Sequence, residues 1–297
     1  MSEIEAEKEP AVAADPGLAT LLPMWEEPTV IEAFARWHPW AVVFYRPASD
    51  ALLAAAGVRP GMRVLDIGTG TGIPSLRAAE LVGAEGEVIA TDPSAGMLAV
   101  ATANARASRA GNLRVQQAAI EALPFPGRSF DAVVSQLGLM FAADLPRALA
   151  EVRRVLRPGG RAAFLAWGPY EDNPVFRAYR DIVARYTTPA PATATEPDPR
   201  QPFRFADPAS LAGPMRDAGF ADVNVVLRPL VLPLSSPEAL VRFWLDGNRF
   251  DATLPAERRS AFHAEVLDAY RAFDRGKGVE VPALVVIGAG AAPVSDR

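Results

Sequence analysis

The chain has no cysteine, and among its 297 residues only two are lysines (Lys8, Lys277) and two are histidines (His38, His263). Without thiols there is no disulfide framework, no thiolate metal site and no cysteine nucleophile. With two histidines, a side-chain base that works near neutral pH has only two candidates. No run approaches the roughly 20 apolar residues that span a bilayer as a helix. The net charge of −5 lacks the basic excess with which nucleic-acid enzymes neutralise phosphates, so no nucleic-acid partner is expected. The start, MSEIEAEKEP, carries Glu3, Glu5, Glu7 and Glu9 rather than the basic-then-apolar pattern of a secretory leader, which implies a cytoplasmic location.

What is present is core-forming material, since 50% of the residues are hydrophobic. Residues 1–24 read as an acidic, disordered tail with too little apolar surface to fold. Six aromatics crowd the stretch from Trp25 to Tyr45, so 25–60 is expected to be a helical cap, formed by one helix or by two broken around Pro39, and then a helix over Ala48–Ala56. From residue 61 to Trp167 apolar strands alternate with helices: Arg63–Ile67, Glu87–Thr91, Leu113–Gln117, Phe130–Ser135 and Arg161–Trp167 are the strands. That rhythm means a parallel sheet covered on both faces. Residues 168–290 read as a lobe that inserts helices around two late strands, 223–232 and 281–287, with a short tail at 291–297. Thr187–Arg204, rich in Pro, Ala and Thr, reads as a loop or lid.

The strongest chemical signal is Asp66-Ile67-Gly68-Thr69-Gly70-Thr71-Gly72 after the first strand. Glycines at alternate positions let the backbone approach a ligand at the carboxyl edge of the sheet. A dinucleotide fingerprint would need glycine at Ile73, and the Asp66 carboxylate would be a poor neighbour for a pyrophosphate. An ammonium or sulfonium suits it better. Asp92 ends the second strand 20 residues beyond Gly72, where a carboxylate accepts hydrogen bonds from both ribose hydroxyls. Ser94 caps the helix that follows.

Together DIGTGTG, TDPSAGML, EALPFPGRSFDAVVS and ALAEVRRVLRPGGR resemble the class I S-adenosylmethionine-dependent methyltransferases, and most of all the ubiquinone/menaquinone-biosynthesis C-methyltransferase type. The resemblance is dense from Val58 to Trp167. It implies a Rossmann-like α/β fold: a seven-stranded, mostly parallel sheet with helices on both faces, the last strand antiparallel, a helical N-terminal cap and an inserted helical lobe. It implies S-adenosylmethionine as cofactor and S-adenosylhomocysteine as product. Gly68, Thr69, Gly70 and Gly72 would border the methionine part, with Asp66 on its ammonium directly or through water. Asp92 would hold the ribose, Pro93 and Met97 would lie against adenine, and the backbone of Gln136 would face the methionine moiety. Tyr45, followed by Arg46-Pro47, would close over the cofactor or simply be core. One position departs from the pattern: Ala119 stands where the family usually has an Asp for the adenine amino group. Ile120 would still offer its N–H, and Glu121 or Gln117 would replace the lost acceptor.

His38, in the aromatic segment, is the candidate base; a packed histidine is the alternative. His263 reads as surface, and Arg153, Arg154 and Arg157 as cations offsetting a helix carboxyl end. The acceptor is expected to meet Trp37, Trp40 and Phe44 from the cap, Tyr170 and Asn173 after the fifth strand, and Phe203 and Trp244 from the lobe. Such a surface favours a phenol, quinol, polyketide or terpenoid methylated on carbon or oxygen, with no metal, by a monomer or homodimer. Two rivals remain: a cofactor-binding cyclase or isomerase that no longer methylates, and a nicotinamide oxidoreductase, which Asp66 and Ile73 disfavour.

Overall fold

The computed structural model describes residues 25–187, 202–248 and 250–294. The acidic tail, most of the Thr187–Arg204 segment and the last three residues lie outside the described residues. Five strands run in parallel: β1 (Arg63–Ile67), β2 (Glu87–Asp92), β3 (Leu113–Gln117), β4 (Phe130–Gln136) and β5 (Leu156–Trp167). After the lobe come β6 (Ala221–Leu234) and β7 (Val279–Ala291), and β7 pairs antiparallel with both β5 and β6. The order is β3-β2-β1-β4-β5-β7-β6. The strand order therefore reverses between β1 and β4, and open α/β sheets bind ligands at the carboxyl ends of such a reversal.

Strands β1 and β4 are buried almost throughout, as the centre of a sheet covered on both faces must be. The covering helices carry one apolar face each. In α5 (Leu145–Val155) the buried residues Leu145, Ala148, Leu149, Val152 and Val155 fall on one stripe, and the Asp144 carboxylate caps the first turn by accepting the Arg147 N–H at 3.0 Å. Arg154, at the carboxyl end of α5, bonds the carbonyls of Leu123 and Phe125 as well as Glu151, so it fastens the loop after β3. On the other flank α3 (Ser75–Val82) follows the glycine loop and α4 (Ala95–Ala107) follows β2, capped by Ser94 through the Met97 N–H.

The cap is one long helix, α1 (Pro28–Phe44), and then α2 (Arg46–Ala55). Pro39 costs α1 one helical hydrogen bond without breaking it, because Ala33, Trp37, Ala41 and Phe44 still bury a common face on both sides of it. Helix α1 lies across the carboxyl edge of the sheet. Ahead of it, the Glu26 carboxylate accepts the Ala95 N–H at the start of α4, and the Ser94 hydroxyl bonds the Trp25 carbonyl. The lobe contributes α6 (Pro174–Tyr186), α7 (Ala209–Asp217), α8 (Pro237–Asn248) and α9 (Ala256–Tyr270). Of these, α8 meets α1 above the sheet edge, where the Trp37 indole N–H donates to Asp246.

Candidate active site

A cavity of about 420 Å³ opens at the carboxyl edge of the sheet, under α1 and α8. Its floor is the loop after β1. Gly68 has φ of +69°, and a Cβ there would sit 3.2 Å from the Gly138 Cα, so the loops after β1 and β4 touch only because both residues are glycine. At Gly70 (φ +54°) an added Cβ would meet nothing within 4 Å, which leaves room for a ligand against the backbone.

Asp66 lies under this loop rather than on the cavity wall, and it is fully buried. Ser75 donates to its Oδ2 at 2.6 Å, Thr69 lies 3.0 Å from the Ser75 hydroxyl, and Oδ1 meets no donor in hydrogen-bonding geometry. Burial pushes the Asp66 carboxyl up to about 6; the hydroxyls of Ser75 and Thr69 oppose the rise, and the charge of Asp92 adds to it. A buried carboxylate with one unsatisfied oxygen beneath a glycine cradle suits a cationic ligand, and so the residues present fit S-adenosylmethionine. Asp66, expected to meet the ammonium directly or through water, is placed by the structure beneath the loop and off the cavity wall. Gly72 likewise turns off the wall, toward Ala101 and Leu76.

Asp92 is on the wall at the end of β2. Its Oδ2 accepts the Gly70 N–H and its Oδ1 the Ser94 N–H, both at 2.9 Å, and burial raises its pKa. Each carboxylate oxygen can accept more than one bond, so both keep capacity for a further donor from the cavity. Pro93, Met97, Ala119 and Ile120 continue the wall beside it. Of the two residues expected to replace the acceptor absent at Ala119, Gln117 turns its amide to the Pro93 carbonyl, whereas Glu121 lines the cavity while its Oε1 accepts the Ala143 N–H. Gln136 lines the cavity from β4 with its Oε1 accepting from the Ser49 hydroxyl at 2.8 Å.

Beyond Gln136 the wall turns aromatic: Trp37 and Tyr45 from the cap, Trp167 from β5, Phe176 from α6, and Phe243 and Trp244 from α8. Four expected acceptor contacts are corrected. Trp40 is one position out of phase with the buried stripe of α1 and is 40% exposed, whereas Phe44 is in phase but buried behind the wall. Tyr170 faces away, stacked under Arg180 with its hydroxyl on the Phe176 carbonyl, and Phe203 packs edge-on behind Phe176. A fifth, Asn173, is wholly structural. It is fully buried, donates to the carbonyls of Pro169 and Leu284, and accepts the Leu284 N–H at 3.0 Å. Asn173→Ala is expected to cost about 3 kcal/mol, read by urea unfolding, because it leaves backbone groups of β7 unpaired. Trp167 and Phe176 were not singled out from the sequence; the position of Trp167 at the carboxyl end of a strand was the available signal.

His38 is also displaced from its expected role. It is buried, and its Nδ1 lies 2.9 Å from the Thr71 hydroxyl; Thr71 rather than His38 lines the cavity. Desolvation lowers its pKa, so it is neutral at pH 7 and ties the cap to the glycine loop. We expect His38→Ala to weaken S-adenosylhomocysteine binding about fivefold, the effect of one hydrogen bond, rather than to lower kcat by the 100-fold or more of a lost general base. Calorimetry together with kcat distinguishes the two.

A family model described as a methyltransferase domain matches residues 64–160, the span of the glycine loop and both acidic strand ends. Nocamycin O-methyltransferase of Saccharothrix syringae is 31% identical over 239 residues, covering 76% of this chain and 84% of that one. A ubiquinone/menaquinone biosynthesis C-methyltransferase of Teredinibacter turnerae is 35% identical over 175 residues, covering 56% of this chain and 70% of its own length. Among solved structures the (4+2)-cyclase SpnF shares the fold, with a TM-score of 0.52 at 20% identity over 84% of this chain and 80% of that one. The chain belongs to the class I S-adenosylmethionine-dependent methyltransferases. Among the described residues no helix is long and apolar enough to cross a membrane.

Proposed function

We propose that this methyltransferase transfers a methyl group to carbon or oxygen of a hydrophobic small molecule, a phenol, quinol, polyketide or terpenoid, inside this cavity. The observation that carries the reading is that one cavity joins Asp92, Gly68 and Gly70 after β1 and β2 to the aromatic group Trp37, Tyr45, Trp167, Phe176, Phe243 and Trp244. Asp92 would hold the ribose, Asp66 would set a negative field under the ammonium, and Pro93, Met97 and Ile120 would enclose the adenine. When bound, S-adenosylmethionine supplies a methyl group on a sulfonium, an electrophile with an excellent leaving group. The chain's contribution is then to align the acceptor with that methyl and to keep water out, which α1 and α8 do by meeting over the cavity. We infer further that residues 25–60 act as cap and 168–290 as acceptor lobe around the 61–167 core, in a cytoplasmic enzyme.

Methyl-labelled S-adenosylmethionine incubated with the protein and a solvent extract of the producing cells tests this. Label in an extractable product, with stoichiometric S-adenosylhomocysteine, is the expected result, and fragmentation of the product gives the site of methylation. If the cofactor binds and no label moves, the second reading, a cyclase or isomerase on a cofactor-binding scaffold, replaces the first.

A further inference from the structure

The chain's two histidines are both accounted for: His38 on Thr71, behind the wall, and His263 on Asp251 at the protein surface. Among the described residues the titratable groups on the cavity wall are Asp92, Glu121 and Tyr45, and no lysine, arginine or histidine is there. Asp92 accepts two backbone N–H groups, and Glu121 accepts the Ala143 N–H beside Ala119 and Ile120. Among the described residues Tyr45 is the titratable group that packs within the Trp167–Phe243 part of the wall. Its ring packs against Trp167 and Phe243, and no described residue bonds its hydroxyl. Burial holds that phenol protonated well above its ordinary range, so it donates a hydrogen bond and takes up no proton. Gln136 is the second neutral donor: with Ser49 on its Oε1, the amide N–H groups are what it offers the cavity.

A wall of this kind cannot deprotonate an acceptor. At pH 7 a phenol of pKa about 10 is ionised in about one molecule per thousand, whereas a carboxylic acid of pKa about 4 is almost wholly ionised. Narrowing the methyltransferase reading above from phenols and quinols to the acidic members of its hydrophobic acceptor class, we propose that the acceptor is an apolar molecule whose nucleophile is already ionised at neutral pH, a carboxylate or the enolate of an acidic β-dicarbonyl, held by neutral hydrogen bonds from Tyr45 and Gln136. A lone pair of the acceptor anion forms the new bond to the methyl carbon as the S–CH₃ bond breaks, and that bonding pair stays on sulfur. One negative and one positive charge become two neutral products, and no proton changes hands. The wall needs no cation, because the sulfonium is the anion's counter-charge in a low-dielectric site.

The test uses two probes of the same ring system, para-phenylbenzoic acid and para-phenylphenol, with protein saturated in S-adenosylmethionine or in S-adenosylhomocysteine. Binding is read from quenching of Trp37, Trp167 and Trp244, and turnover from S-adenosylhomocysteine release between about pH 6 and 8.5. The acid is expected to bind about tenfold tighter to the sulfonium-loaded protein than to the homocysteine-loaded one, with the phenol indifferent to that charge. Any turnover of the acid is expected to be level with pH. Tyr45→Phe and Gln136→Leu are each expected to weaken the acid about fivefold, a larger loss than either causes in S-adenosylhomocysteine affinity. The proposal is overturned if the acid does not bind, if the phenol is methylated with a rate rising through an enzyme group near neutrality, or if Tyr45→Phe weakens the cofactor instead. Failure of the underlying reading looks different: S-adenosylmethionine then fails to bind, or is never consumed with any acceptor, the cell extract included.

Discussion

Asp92→Ala is expected to lower affinity for S-adenosylhomocysteine by about two to four orders of magnitude, the worth of two charge-assisted hydrogen bonds to a ribose at roughly 1.5–3 kcal/mol each. The same carboxylate also holds Gly70 and Ser94 through their N–H groups, so the variant loses the tension of the glycine loop along with the ligand's partner. Asp92→Asn separates these effects. Its amide oxygen still accepts one backbone N–H but its NH₂ cannot accept, and its affinity is expected to fall between wild type and Ala. Calorimetric titration of the three proteins, with circular dichroism to confirm that each is folded, measures the series. Equal affinity in all three would remove Asp92 from the site.

The second large effect is a pH linkage at Asp66. In the free protein burial raises this carboxyl from 3.8 to about 6. A raised carboxyl pKa means that the ionised form is penalised by folding. The favourable contribution of Asp66 is therefore complete below about pH 4 and lost as pH rises through about 6, roughly 3 kcal/mol in all. Asp66→Asn is expected to flatten that segment of the stability–pH curve and to be the more stable protein at pH 7. It is expected to bind the cofactor more weakly, because a cation above the loop favours the ionised form. The linkage has a direct readout: at pH 6, S-adenosylhomocysteine binding to the wild type should release about half a proton and at pH 8 almost none. Titration in buffers of different ionisation enthalpy measures the release, which Asp66→Asn should abolish. A proton release on binding that is the same at pH 6 and pH 8 in wild type would contradict this role.

Much of the cofactor half of the site was legible in the sequence because its chemistry is local. Asp66, the glycines and Asp92 are fixed by where strands β1 and β2 end, and a five- or six-residue apolar run marks a strand end well. The late strands were legible too, with β6 and β7 each extending a few residues past the expected 223–232 and 281–287. The acceptor half was harder to read because it is assembled by long-range packing. Within α1 the aromatics Trp37, Trp40 and Phe44 have like composition, but helical phase gives them three different fates: Trp37 on the wall, Phe44 behind it and Trp40 toward solvent. His38 is adjacent to Trp37 in sequence, yet its partner Thr71 is 33 positions away. Asn173 sits at a ligand-facing strand edge by topology, and only its three bonds to Pro169 and Leu284 reveal a structural post.

The most direct measurement is a crystal structure of the protein grown with S-adenosylhomocysteine. The expected density places the ribose hydroxyls on Asp92, the adenine between Met97 and Ile120, and the amino group over the loop that covers Asp66. The sulfur should point toward Tyr45 and Gln136. Density for the ligand elsewhere on the chain, or an adenosine turned into the aromatic half of the cavity, would contradict the assignment of this site.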